Sequence, residues 1–519
     1  MGPSLAVLWW AAAATLVCGE ALWPPVQMVP SFEAVAKGEA ACPYSVKIYV
    51  YEFSDELPFK KMAAQARRDP GGTHFDGEHL LAQFTLEFIL TDFFEQACVR
   101  TTDPEEADYF FVPFYSDLEY RTTGRPNEPS AHGDALLKIL EENATEAWLA
   151  RFGATDAYWR KYPERHLLVQ AAPVTGWRHP KGKRGFAHYL VQLTAPIFLS
   201  IEVTKSWTLT YPKCAAKNVV LPYPVPGKGW HDNSWRAMAE ALDPSRPILA
   251  LFRGGRNHGC VNVRKAIAKA LERDPEIQKA EKQLQTRNGG AIPRQALMHL
   301  ATFCPCPEGD SPSAKRMYDA VLAGCVPVLV SDDAVYSYDE FASPWAFQNF
   351  SLNVSDFAVV VAEQDAIDGK LLPYLRSHAV HAALPTLRAN LERVAALLRY
   401  YAPGRYPRDP LVDRRFPDGG ANALLVWDLE RRKLRETPDH RWLACQRELQ
   451  TEHHFHHAKQ FCGAPPKDDE LNRLRTMLKR APSEKRRGEL QRAIHDWESG
   501  SIFRRQRRKR RQRRLRRRP

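Results

Sequence analysis

The sequence predicts an α/β protein built as two successive strand–helix halves. Short apolar runs alternate with helical periodicity between residues 46 and 221, and again between residues 248 and 361. Strands separated by helices form parallel sheets rather than hairpins. The apolar run 248–252 (ILALF) passes directly into the glycine-bearing turn RGGRNHG, and ligands of such sheets sit at the carboxyl ends of strands. The chain has 519 residues, too many for one compact core, so two or three domains are expected.

Taken in order, residues 46–53 (VKIYVYEF) place Val46, Ile48 and Val50 on one face of a half-buried strand. An apolar-periodic helix follows around residues 78–98. In RTTDPEEADYFFVPFY, residues 100–115, Asp103 and Pro104 stand in the order of helix cap and first helical residue. The short acidic helix they start feeds a strand over 109–112, and further strands are expected at 166–172 and 218–221. LDPSRP, residues 242–247, reads as the boundary between halves. Beyond it the spacing predicts a strand at 248–252, a helix from about 263, and strands at 325–331 and 357–361. Two short helical patterns, 470–480 and 484–497, lead into an arginine-rich end. The expected organisation is a leader over 1–19, a linker over 20–44, a first domain over 45–241 and a second over 242–467. A helical extension, 468–503, and a disordered tail, 504–519, complete it.

The formal charge of +12 is misleading until it is located. Twelve Lys and Arg lie between Arg504 and Arg518 with no acid among them, which leaves 61 basic against 61 acidic residues elsewhere. The body is neutral and only the tail is basic. Residues 5–18 (LAVLWWAAAATLVC) form an apolar stretch too short to cross a ~30 Å hydrocarbon core comfortably, and they suit the core of a secretory signal or a short signal-anchor. Asn143, Asn349 and Asn353 head glycosylation sequons, which agree with that route. Ten cysteines become nine once such a leader is removed, so at least one is free or paired between chains.

The densest stretch is CPCPEGDSPSAKRMYDAVLAGCVPVLVSDD, residues 304–333. It reads as a loop, a helix and a buried strand. Ser311 or Ser313 is expected to cap the helix with Pro312 in its first turn, Met317, Ala320 and Val321 give one apolar face, and Gly324 stops it. Lys315 and Arg316 in the first turn oppose the helix dipole unless an anion offsets them. Asp319, one turn on, is placed to accept hydrogen bonds from sugar hydroxyls. The arrangement suits a nucleoside diphosphate; an ordinary capped helix with surface charges is the plainer reading of the same residues.

RTTDPEEADYFFVPFY, LFRGGR and FCPCPEGDSPSAKRMYDAVLAGCVPVLVSDD, in this order and spacing, closely resemble the exostosin-like glycosyltransferases, glycosyltransferase family 47. The resemblance runs roughly from residue 47 to residue 400. It implies a GT-B fold, two Rossmann-like domains facing across a cleft, and sugar transfer from a nucleotide donor with inversion. It implies that Arg253 and Arg316 contact the diphosphate, that Gly254 and Gly255 let the backbone approach it, and that Asp319 holds ribose or donor-sugar hydroxyls. Glu308 and Ser313 line the same loop. Inversion needs a general base, for which Asp117 is the first candidate and His166, at the start of a strand, the second. The implied co-substrate is a UDP-sugar and the implied acceptor a polysaccharide or glycoprotein glycan in the Golgi lumen. A non-catalytic glycan-binding or partner-stabilising subunit on the same fold is the alternative.

No Asp-x-Asp pair occurs in the chain, so no metal or other cofactor is expected, basic side chains and a helix terminus doing that work instead. HHFHH, residues 453–457, lies near Cys445 and Cys462 but matches no structural zinc spacing; a disulfide between those cysteines is the other use open to them. The arginine tail lacks the aromatic residues that stack on bases and belongs to a chain expected in the secretory route. Acidic polysaccharide or membrane headgroups, not nucleic acid, are the partners it suits, and a tolerated low-complexity end with no role is the plainer reading.

Overall fold

The structure is a computed structural model. It describes residues 29–53, 55–68, 85–115, 118, 156–171, 196–201, 217–225, 234–256, 260–309, 314–331, 354–400 and 420–435. All of these lie within the first of two compact units, Met1–His454. The expected leader, sequons, His cluster, C-terminal helical patterns and arginine tail lie outside the described residues.

The first half contains α1 (Phe32–Ala36), β1 (Ile48–Val50), α2 (Pro58–Arg68), α3 (Leu86–Gln96), β2 (Arg100–Thr101), β3 (Tyr109–Val112), α4 (Asp156–Lys161), β4 (His166–Gln170), β5 (Ile197–Ser200) and β6 (Val219–Val220). The second contains α5 (Ser234–Leu242), β7 (Ile248–Ala250), α6 (Val261–Arg273), α7 (Pro275–Arg287), α8 (Arg294–His299), β8 (Ala301–Pro307), α9 (Lys315–Leu322), β9 (Val326–Val330), β10 (Val359–Val361), α10 (Glu363–Ile367), α11 (Leu371–Leu375), α12 (His378–Leu397) and α13 (Gly420–Arg435). The strands form two sheets, of six in the order β2-β1-β3-β4-β5-β6 and of four in the order β10-β9-β8-β7. Every strand pairing in both is parallel. This is the α/β architecture read from the sequence, consistent with two Rossmann-like domains.

The first sheet buries both faces. Val46, Ile48 and Val50 are buried together, as their alternation requires. On one face Tyr51, Phe53, Phe59, Phe110 and Phe114 build an aromatic core with Leu168 and Phe198. On the other, Phe94 of α3 meets Phe111 of β3 with ring centroids 4.8 Å apart. Asp103 does cap the turn after β2, its side chain accepting from Glu105 N at 2.9 Å, and Pro104 follows it; the turn is a single 3-10 turn, Pro104–Glu106.

Two expectations for residues 301–325 change. The run before the helix is a strand from Ala301, not only a loop. β8 lies between β7 and β9 in spite of Pro305 and Pro307. Phe303 O accepts from Leu251 N at 2.9 Å, so by alternation both prolines turn their nitrogens to the same side, beyond the end of β7, where no ladder bond is asked of them. The helix itself begins at Lys315 with Ala314 in the cap position and no side-chain cap, so neither Ser311 nor Ser313 occupies it. Its end is as expected. Gly324, at φ 64, follows the cap residue Ala323. Gly324 N bonds Val321 O and Cys325 N bonds Ala320 O, the paired bonds of a Schellman motif. Arg246 completes that end, donating to Ala323 O at 2.7 Å. A side chain at position 324 would meet this guanidinium at 2.8 Å.

With α13 the chain returns to the first sheet. Tyr109 of β3 donates to Leu429 O of α13 at 3.2 Å, Glu430 accepts from Val46 N at 2.6 Å, and Lys433 pairs with Asp108 at 2.7 Å. Residues 420–435 fall inside the stretch 242–467 expected as the second domain, and they touch both halves, with Ala421 N also donating to Arg399 O at 2.7 Å just past α12. Apolar periodicity reports that a helix has a buried face but not which sheet covers it. Two disulfides join described residues, Cys42–Cys98 and Cys304–Cys325, and Cys306 is free and buried.

Candidate functional site

Because β7, β8, β9 and β10 are parallel, their carboxyl ends share one edge. That edge carries Phe252–Arg256 after β7, Glu308 after β8, Ser331 after β9 and Glu363, which opens α10, after β10. The α6 and α9 helices start at the same edge and bring Cys260, Arg264, Lys315, Arg316 and Asp319 to it.

Arg316 is the centre of the arrangement. Its guanidinium carbon lies 4.6 Å from the centroid of the Phe252 ring, a cation–π contact. Its Nη2 lies against Gly254, where a Cβ would fall 2.1 Å away. The first glycine of the Gly-Gly turn thus makes room for a guanidinium. Burial is the largest influence on Arg316 and lowers its pKa, with the nearby Arg264 acting in the same direction; arginine nevertheless stays charged at neutral pH. Buried Nε of Arg316 has no hydrogen-bond partner among the described residues. A desolvated cation with an unused donor, at the first turn of a helix, has the charge and the bonding capacity to take an anion.

Around it the other residues are engaged. Lys315 and Asp319 form an ion pair at 2.5 Å one turn apart. This leaves the Asp319 carboxylate further lone pairs for hydroxyl donors. Arg253, half-exposed, pairs with Glu281 of α7, and Arg256 pairs with Glu272. Glu308 is buried, with its Oε1 bonded to Ser331 Oγ and its Oε2 3.4 Å from Cys260 Sγ. Cys260, Glu308 and Glu363 bring possible metal-ligand atoms within 4.8 Å of one another. Cys260 is disulfide-bonded, however, so its sulfur is no thiolate ligand. Cys306 lies beneath, and burial pushes its thiol up to about 12, which makes it inert as a nucleophile at neutral pH.

Of the residues the sequence singled out, Arg253, Gly254, Glu308, Arg316 and Asp319 all come to this edge. Glu308 points into the protein interior, and Arg253 toward α7. Asp117 and Ser313 lie outside the described residues, as do Asn143, Asn349 and Asn353. His166 is part of the core of the first sheet. Nδ1 donates to Tyr162 O at 2.8 Å, so Nε2 is the acceptor for the Tyr51 hydroxyl at 2.7 Å. Phe110 stacks on the ring at 4.9 Å and Trp159 meets it edge-on at 4.5 Å. Burial drives its pKa down to about 3. Sequence reasoning missed Arg264, whose bonds go to backbone carbonyls and leave no motif.

In a parallel α/β protein the carboxyl edge of the sheet, where this one gathers arginines and a helix start, is the place where ligands bind. The exostosin GT47 domain matches residues 43–373, which covers most of the chain, and the protein belongs to that family. The chain is similar to the moss Physcomitrium patens protein named probable glucuronosyltransferase 47 A, 23% identical over 315 residues, 58% of this chain and 61% of that protein. It is similar to a probable β-1,4-xylosyltransferase of Arabidopsis thaliana, 25% identical over 342 residues, 64% of this chain and 69% of the other. A probable arabinosyltransferase of the same plant is 26% identical over 261 residues, 49% of this chain and 51% of the other. The matched part thus spans about three fifths of the moss protein and half of the last.

Proposed function

We propose that the protein is an inverting glycosyltransferase of GT-B fold that moves a sugar from a UDP-sugar to a polysaccharide or glycoprotein glycan. The observation that carries this is Arg316, held over Phe252 and Gly254 with a buried Nε lacking a partner among the described residues. Family membership and relatives named for glucuronosyl, xylosyl and arabinosyl transfer support it.

In an inverting transfer the acceptor hydroxyl attacks the anomeric carbon, its proton goes to a base, and the sugar–diphosphate bond breaks with its electrons on the diphosphate oxygen. Negative charge therefore grows on the leaving group, and fixed positive groups that meet it there lower the barrier. Arg316 and the start of α9 are the groups for this task, and Arg253 joins them by exchanging its bond with Glu281 for a phosphate oxygen. Asp319 accepts from ribose or sugar hydroxyls. The acceptor binds in the half built on the first sheet, residues 45–241, with Asp117 as the base. No essential metal enters this scheme. The disulfides, the leader-like stretch and the three sequons support the secretory pathway, in the Golgi lumen, as the place of action.

The test is calorimetry with UDP and GDP on the wild-type chain beside Arg316→Ala and Asp319→Ala. Micromolar UDP binding, weakened in both variants, is expected. No nucleotide binding by a folded wild-type protein would sink this reading and favour the non-catalytic glycan-binding subunit.

A further inference from the structure

Arg264 sits on α6, one turn after Cys260, and is buried. Its Nε donates to Glu308 O at 2.9 Å and its Nη1 to Gly255 O at 2.7 Å. The first acceptor ends β8 and the second belongs to the Gly-Gly turn after β7. One planar guanidinium therefore ties two loops that the chain separates by more than fifty residues. Its carbon lies 6.0 Å from the Phe252 ring, the ring that Arg316 covers from 4.6 Å. Glu308 is held a second way, through its carboxylate and Ser331.

The geometry matters because Gly254 leaves no slack. Its backbone approaches Arg316 Nη2 so closely that even a methyl group would collide. A shift of the Gly254–Gly255 turn by a fraction of an ångström changes where the Arg316 guanidinium can lie. Among the described residues, the Arg264 bond to Gly255 O ties this turn to α6.

We propose that Arg264 is the positioning residue of this edge: by clamping the carbonyls of Gly255 and Glu308 it holds the Gly254 turn in the register that seats Arg316. This deepens the donor-site reading and rests on it. Arg264 need not touch the ligand, and its planar fork is what the task requires. A lysine in its place reaches one carbonyl at a time, and a methionine keeps the alkyl packing with no donor.

The experiment uses the full chain as wild type, Arg264→Lys, Arg264→Met, Arg316→Ala and the double variant Arg264→Lys/Arg316→Ala. It measures the Kd for UDP and, without ligand, amide hydrogen exchange over residues 253–256 and 308–309. Arg264→Lys is expected to weaken UDP binding about tenfold, the size of one lost charge-assisted bond, and to speed exchange in both loops. In the Arg316→Ala background the same change is expected to cost less than twofold more, because residues acting through one another are not additive. Wild-type affinity and wild-type exchange in Arg264→Lys would overturn the proposal, and so would fully additive losses in the double variant. If the wild-type chain binds neither UDP nor GDP but both loops loosen in the Arg264 variants, the donor reading falls and the clamp stands. If Arg264→Met does not fold, Arg264→Lys decides.

Discussion

The two sheets are built alike, and one buried polar group from each half shows a different use of burial. In the first, His166 lies inside an aromatic box with both ring nitrogens bonded, to Tyr51 and to the Tyr162 carbonyl. In the second, Arg316 lies against an aromatic ring and a glycine while its Nε finds no bond among the described residues. The first polar group is satisfied by its own fold; the second is not, among the described residues. A buried polar group with all its partners stabilises a single packing, whereas one left short has bonding capacity that a water, an ion or a ligand can use.

That contrast breaks if the two sites respond to substitution in the same way. His166→Ala is expected to lower stability by about 4 kcal/mol, since it opens a cavity and removes two buried hydrogen bonds, to Tyr51 and to the Tyr162 carbonyl. Denaturant unfolding would measure this, and UDP affinity should stay unchanged in the fraction that folds. Arg316→Ala is the converse: UDP affinity falls about a hundredfold, two charge-assisted bonds' worth, while the denaturant midpoint moves little.

Acidification should strike the first kind of site. The folded pKa of His166 lies near 3 against an ordinary 6.5, and His299, also buried, is lowered to the same value. The unfolded chain binds protons that the folded chain refuses. Stability is therefore complete above pH 6.5 and drains as pH falls toward 3, by about 1.4 kcal/mol per pH unit for each histidine. Unfolding curves at pH 7.5 and 5.5 should show the loss, with a slope reduced by one proton in His166→Gln. Gly254→Ala is smaller and more pointed. The new methyl group displaces the Arg316 guanidinium, and UDP binding should weaken about tenfold with no change in unfolding. Tyr51→Phe, which leaves His166 Nε2 without its donor, should cost about 1 kcal/mol of stability and nothing in binding.

What could be read beforehand follows from how each feature is encoded. Gly324 and the helix it ends were legible because a left-handed residue followed by an apolar β-branched run has few other uses. The Asp103-Pro104 turn was legible for the same kind of reason, since cap chemistry is local. β8 was obscured by Pro305 and Pro307, which break the strand pattern and are tolerated only because β7 is shorter than its neighbour. The Arg253–Glu281 pair and the Arg264 clamp connect residues whose partners are set by the fold and not by spacing. Arg316 was found for its charge at a helix start. Its fit to Gly254 needed three dimensions, which show the glycine admitting a side chain.

The Cys304–Cys325 bridge spans 21 residues and encloses Glu308, Arg316, Asp319 and the whole of α9. The helix proposed to face the diphosphate is thus a covalent ring standing on the sheet, with its two feet in β8 and at the entrance to β9. A protease that cuts the chain anywhere between Pro305 and Gly324 does not separate the protein into pieces. The nicked molecule keeps its mass on a non-reducing gel and separates into fragments only under reducing conditions.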